Sequence, residues 1–379
     1  MIKPLYNRRS FLCRGTATAA GIALGLESRA NQDADGQPDS EPRDFITPET
    51  QRVINRGLEY LAATQNRDGS FGDRIQFHGN VAVTALAGLA FMSAGQQPGR
   101  GIIGEPPVRE PYGNQVQRAL HYIMSREKKS PIGFLHHEAN NRDIGMYDHG
   151  FGTLFLAEAY GMVPDLALQE RLKGTIERAI RLIETSQNRE GGWRYNPTPQ
   201  LADVSVTICQ IMALRAARNA GFSVNKNTVD LCVKYVRSCQ NPDGGYSYFS
   251  GQGGSAFARS AAGLVALYSA GIYEGKEIDR TLNYLMQYKP NSALARREVP
   301  DIHWYYGQYY AAQAMWTAGG RSPRYWNDWF PVIRDELLAR LRGRADGSWT
   351  DPRTCNHYAT AMALIILQIP NNYLPILQK

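Results

Sequence analysis

The sequence predicts an all-α protein, an (α/α)6 toroid built from six helix-pair repeats, and three observations carry that expectation. A four-residue tag of acid, glycine, small residue and aromatic returns along the chain. It reads Asp68-Gly69-Ser70-Phe71, Glu190-Gly191-Gly192-Trp193, Asp243-Gly244-Gly245-Tyr246 and Asp346-Gly347-Ser348-Trp349. Two of the three gaps between tags are about twice the third, which sets a period of roughly 50 to 60 residues and predicts two degenerate copies. Gly133-Phe134 stands where the second copy falls, and a Pro290-Asn291 turn stands near the fifth. Finally, every tag is preceded by an amphipathic stretch and followed by one rich in Ala, Gly and Leu.

The first helix of each pair is expected near Glu49 to Gln65, Tyr112 to Glu127, Leu166 to Gln187, Lys226 to Gln240, Lys276 to Tyr288 and Tyr325 to Leu341. In the third, Leu172, Ile176, Ala179, Ile180 and Ile183 recur at helical spacing while charged residues fill the other face, the pattern of an outer helix. The second members begin near Asn80, Asp148, Asp203, Ser255, Asp301 and Asn356 and carry few charges past the first turn, so they are inner helices. Glycine in each tag supplies the positive φ that a sharp reversal between the two requires. Inner helices this apolar would be exposed at both ends of an open stack, and neither end shows a polar capping repeat, so the ring is expected to close.

The Gln-x-x-Asp-Gly-Ser-Phe/Trp tags resemble the repeats of squalene and oxidosqualene cyclases and of protein prenyltransferase β subunits, over residues 48–379. The resemblance implies a toroid whose central cavity takes an apolar or isoprenoid-like ligand. It also implies a zinc site: prenyltransferase β subunits bind zinc with an Asp-x-Cys and a His, and here Asp301-x-His303 and His357 match, with His303 in place of the cysteine. An Asp/His/His set with an open position suits zinc chemically. The loss of the cysteine argues against prenylation of a protein thiol, and the acid motifs with which the cyclases protonate their substrates are absent from the sequence.

Before the toroid, Asn7-Arg8-Arg9-Ser10-Phe11-Leu12 and the apolar stretch Thr16 to Leu26 resemble a twin-arginine export signal over residues 1–30. That predicts an exported, periplasmic or extracellular protein. Residues 31–47 are polar, acidic and Pro-containing and read as a disordered linker. The formal charge of +7 falls to about +3 without the signal, too little to argue for nucleic acid. No transmembrane span is expected in the mature chain. Its four cysteines, Cys209, Cys232, Cys239 and Cys355, lack metal-knuckle spacing and read as buried free thiols.

Inner helices that run the same way gather their N-termini at one mouth, where ligand chemistry is expected. Four of the seven histidines, His78, His149, His303 and His357, fall there by sequence. Asp203, Asp301, His303 and His357 are the catalytic candidates; His149, Arg259, Trp304, Tyr306 and Tyr310 are the ligand-binding ones; Asp301, His303 and His357 are the metal candidates. Asp148, Asp203 and Asp301 also suit helix caps. The aromatic wall on the fifth inner helix can hold an isoprenoid, stabilise a carbocation or stack on a sugar. Two other classes stay open: a non-catalytic toroid that presents a surface to a protein partner, and a polysaccharide lyase or hydrolase of the kind found on other α/α toroids.

Overall fold

A computed structural model describes residues 45–102, 112–138, 144–299 and 303–378. The proposed export signal and most of the linker lie outside these residues, and so does Asp301. The last linker residues belong to the toroid: Phe45 packs edge-on against Trp326 and Phe330, and Thr47 caps the first helix through Thr50 N–H at 3.2 Å.

The outer helices are α1 Pro48–Thr64, α3 Tyr112–Ser125, α5 Leu166–Ser186, α7 Lys226–Ser238, α9 Lys276–Met286 and α12 Pro323–Arg340. The inner ones are α2 Val81–Ser93, α4 Gly145–Tyr160, α6 Val204–Asn219, α8 Phe257–Ser269, α11 Trp304–Gly319 and α13 Asn356–Gln368. A short helix, α10 Ala293–Glu298, stands in the degenerate fifth unit, capped by Ser292. Two small hairpins were not expected from sequence: β1 Gln96–Gln97 with β2 Arg100–Ile102, and β3 Glu127–Lys129 with β4 Ile132–Leu135. Each inner helix packs on the next, and α13 packs on α2, so the ring is closed. Among the described residues no helix is long and apolar enough to cross a membrane.

The tags weld the ring. At the first glycine of each, φ is +91° (Gly69), +84° (Gly133), +102° (Gly191), +89° (Gly244) and +78° (Gly347). A Cβ there would strike the backbone of the next unit's outer helix: at Arg118, Arg178, Leu231, Arg280 and, for Gly347, Arg56 of the first unit. Both φ and contact therefore demand glycine. The tag glutamines bridge the same seams. Gln65 donates to Gly69 O (2.9 Å) and Gln115 O (3.0 Å), and Gln187 to Gly191 O and Thr228 O, both 2.9 Å. Tag aromatics are buried, and their backbone N–H groups are taken by inner-helix hydroxyls: Phe71 by Thr84, Trp193 by Thr207, Tyr246 by Ser260 and Trp349 by Thr360, at 2.8–3.1 Å. The four cysteines are free and buried, and burial pushes the Cys209 thiol up to about 12.

The middle of the ring is filled. Phe151 on α4 meets Tyr309 on α11 across the axis, with ring centroids 6.3 Å apart. Tyr310 lies with its hydroxyl 3.5 Å from Cys209 Sγ on α6, and Phe151, Tyr309 and Tyr310 are 4%, 3% and 0% exposed. Below them the C-terminal segment crosses the far end. There Ile376 N–H donates to the Glu158 carboxylate (3.2 Å), Trp316 to Leu377 O (3.1 Å) and Arg215 to Gln378 O (3.3 Å). The end formed by inner-helix N-termini keeps partly exposed polar groups, Tyr195, Tyr248 and Arg259 among them.

Candidate functional site

The mouth is built from one position, the residue two beyond each tag aromatic. In an extended segment alternate side chains share a face, so this residue shares the aromatic's face but lies further along toward the inner helix. The position holds Asp73, His136, Tyr195, Tyr248 and Asp351 in the first, second, third, fourth and sixth units. Asp73 accepts His357 N–H at the start of α13 (3.3 Å), and Tyr195 O accepts Met146 N–H at the start of α4 (2.8 Å). Tyr248 reaches the start of α6, and Asp351 accepts Arg353 and Thr354 N–H ahead of α13, both at 2.8 Å. Together they form a polar collar.

Asp203 is the deepest acid of the mouth, 0% exposed. It caps α6, with Oδ1 accepting Val206 N–H at 2.9 Å, while Oδ2 accepts the Tyr248 hydroxyl at 3.1 Å. The Tyr195 and Tyr248 hydroxyls are 2.5 Å apart, so a hydrogen-bonded chain runs from Tyr195 through Tyr248 to the carboxyl. Burial raises the Asp203 pKa above the usual carboxylate range. It also pushes Tyr248 upward, which keeps that hydroxyl a donor. Arg194 lies over the rings of Tyr195 and Phe249, each at 5.2 Å, and Arg259 lies 6.0 Å over Tyr248 while donating to Gly254 O at 3.0 Å. Tyr147 packs against Tyr195, and half-buried Tyr306 donates to Ser205 O at 3.2 Å. Asp203, Arg259 and Tyr306 are thus brought together, as the sequence led one to expect.

Four expected site residues are elsewhere. His149 is 0% exposed: Leu135 N–H donates to Nδ1 and Nε2–H donates to Ala179 O, both 3.2 Å, tying α4 to α5. His357 is 1% exposed, with Nδ1 accepting Gly72 N–H and Nε2–H donating to Thr64 Oγ1, both 2.8 Å. That hydroxyl in turn donates to Tyr60 O at 2.6 Å. Burial pulls both histidines down to about 4, so each is neutral and fully hydrogen-bonded at neutral pH. Trp304 turns outward beneath Arg340, whose guanidinium carbon is 3.8 Å from the ring centre, and Tyr310 is part of the central filling. His303 stays exposed at the rim with φ +65°, with Asp351, Arg353 and Arg259 acting on it.

The zinc site implied by resemblance does not fit these residues, because His357 has no ring nitrogen left to ligate a metal. Among the described residues no group of three or more His, Cys, Asp or Glu is placed to hold one.

The family model for the prenyltransferase α/α-toroid domain matches residues 43–144 and 155–296, more than half of the chain. The chain belongs to the prenyltransferase α/α-toroid family. No match is found among the curated proteins. Solved structures with the same fold include cellobiose 2-epimerase from Spirochaeta thermophila (13% identity, 86% of this chain and 98% of that one, TM-score 0.59). A type II terpene cyclase from Scytonema bound to geranylgeranyl dihydroxybenzoate is similar at 14% identity (86% and 98%, TM-score 0.55). So is an α-1,6-mannanase from Salegentibacter bound to α-1,6-mannotriose (10% identity, 84% and 97%, TM-score 0.58). At these identities the likeness is one of fold alone.

Within this family member, sequence reasoning missed Tyr195, Tyr248 and His136. The signal available was their offset of two from the tag aromatic. It went unseen because the residue type changes from unit to unit while the tag itself stays recognisable.

Proposed function

We propose that the mouth binds a hydroxylated ring, a sugar unit, and that proton transfer takes place there. The observation that carries this reading is the filled axis: with Phe151, Tyr309 and Tyr310 closing the middle, what the mouth offers a ligand is a collar of hydroxyls, carboxyls and guanidinium groups rather than a deep apolar channel. A polyprenyl chain needs a deep apolar channel. A pyranose needs aromatic faces with hydrogen-bond partners beside them, which Tyr147, Tyr195, Tyr248 and Tyr306 supply around Asp203. Two structural neighbours, the cellobiose 2-epimerase and the α-1,6-mannanase, are sugar-directed enzymes, which agrees with this reading.

A second reading, an isoprenoid-like ligand, draws on family membership and on the terpene cyclase neighbour bound to its substrate. It requires the α11 tyrosines to swing off the axis. Isothermal titration of the full chain with cellobiose, mannotriose and geranylgeraniol separates the two. Saturable sugar binding weakened at least tenfold by Asp203→Asn supports the first reading. Geranylgeraniol binding with no sugar response supports the second and sinks the first. Export belongs to the same proposal, since extracellular glycans are the accessible sugars there, and changing Arg8 and Arg9 together to Lys should hold the precursor in the cytoplasm.

A further inference from the structure

We propose that His136 is a proton-accepting catalytic residue of this mouth, with Asp148 as its positioning residue, acting on the carbon next to the carbonyl of an open-chain aldose. The proposal rests on the sugar reading above. It starts from a contrast among three histidines that lie beside the tags. His149 and His357 have both ring nitrogens committed to seams, whereas His136 has one committed and one free.

The committed nitrogen is Nδ1, 2.8 Å from Asp148 Oδ2. Asp148 lies in the first turn of α4, its side chain only 3% exposed, and its Oδ1 accepts Ala82 N–H from the first turn of α2 at 3.1 Å. Asp148 is thus held from two sides, by the first turn of α2 and by the His136 ring. A carboxylate facing Nδ1 fixes the proton on that nitrogen and leaves the lone pair on Nε2. Nε2 has no partner among the described residues, and the ring is 16% exposed. The backbone cannot drift, because Leu135 beneath it is buried and hydrogen-bonded to His149. The titratable groups beside the ring are Asp148 from α4, and His137 and Glu138 from the segment after β4, with Glu138 paired to Lys128.

Position supplies the partner acid. His136 and Tyr195 are the collar residues of adjacent units, on either side of the α4 N-terminus, where Tyr195 accepts Met146 N–H and His136 holds Asp148. In the proposed step the C–H bond next to the carbonyl breaks and an N–H bond forms at Nε2, with the imidazolium stabilised by Asp148. The electron pair moves to the carbonyl oxygen, which takes a proton from the Tyr195 hydroxyl. Tyr195 recovers its proton from the enediol hydroxyl when the intermediate collapses, while the Tyr248 hydroxyl 2.5 Å away holds its oxygen in place. Return of the proton from Nε2 to the adjacent carbon, with the C2 hydroxyl proton passing to Tyr195, gives a ketose; return to the same carbon after the enediol has turned its other face to the imidazolium gives the epimer, and no oxidant or reductant is consumed.

The test incubates the full chain with mannose, and separately with cellobiose, in deuterium oxide, and follows loss of the proton signal at C2 by NMR while titration measures binding. The expected result is deuterium incorporation that falls at least 100-fold in His136→Gln with melting temperature and sugar affinity retained. Asp148→Asn should also slow exchange, and nitrogen NMR should show the His136 proton shared with Nε2. Wild-type protein that binds either sugar without exchange overturns the base assignment and leaves the sugar reading standing. Failure to bind any sugar overturns both. Exchange unchanged in His136→Gln assigns the base to another residue.

Discussion

The seams and the collar are made from the same stretch of chain yet follow opposite rules. In the seams the same atoms do the same work in unit after unit: a glycine on the next outer helix, a glutamine amide across the gap, a hydroxyl on the aromatic's N–H. Two residues further on, the collar repeats nothing but position, holding Asp, His, Tyr, Tyr and Asp. What recurs is what the ring needs to close, and what varies is free to carry chemistry.

The largest expected effect breaks the seams through pH. His149 and His357 titrate near 4 in the folded chain against 6.5 when unfolded. Below 6.5 the unfolded chain binds more protons, so stability is complete above that pH and is lost as pH falls toward 4, by about 3 kcal/mol for each histidine. Urea denaturation across pH 7 to 4 should show the loss, and a His149→Gln variant should show about half of it.

Gly191→Ala comes next. With φ +102° and a new Cβ driven into Leu231 O, it should cost about 3 kcal/mol or more, against about 1 kcal/mol for Gly253→Ala, where φ is +89° but nothing lies within 4 Å. Equal losses in chemical denaturation would show that φ alone, and not the seam, sets the need for glycine.

In the collar the effects on stability should be smaller and those on binding larger. Tyr248→Phe removes the link between Tyr195 and Asp203 and should cost about 1 kcal/mol of stability while reducing sugar affinity at least tenfold. The smallest effect is expected from a chelator, which should leave the melting temperature at neutral pH unchanged. A drop abolished by His357→Ala would restore the zinc site and require His357 to leave Gly72 and Thr64.

The ring was legible in the sequence because its requirements are strict. Only glycine takes the φ at Gly69, Gly191, Gly244 and Gly347, and only an amphipathic outer helix can lie over an apolar inner one. The mouth was half legible. Asp203, Arg259 and Tyr306 could be placed at one mouth because inner-helix N-termini must converge. His149 and His357 were misplaced because a histidine in a first turn reads the same whether its ring faces the axis or a seam. Tyr310 and Trp304 went the same way: helical periodicity gives the angle between side chains and says nothing of how far across the ring they reach. Asp301 lies outside the described residues.

The seating of Gly347 on Arg56 gives the last unit the same kind of neighbour that every other unit has. A linear array of helix pairs frays from its termini, each end unit held on one side only. In this ring, releasing any unit means rupturing two joints at once, so unfolding should be all-or-none. Amide hydrogens in α2 and α13, the first and last inner helices along the chain, should exchange with solvent as slowly as those in α6.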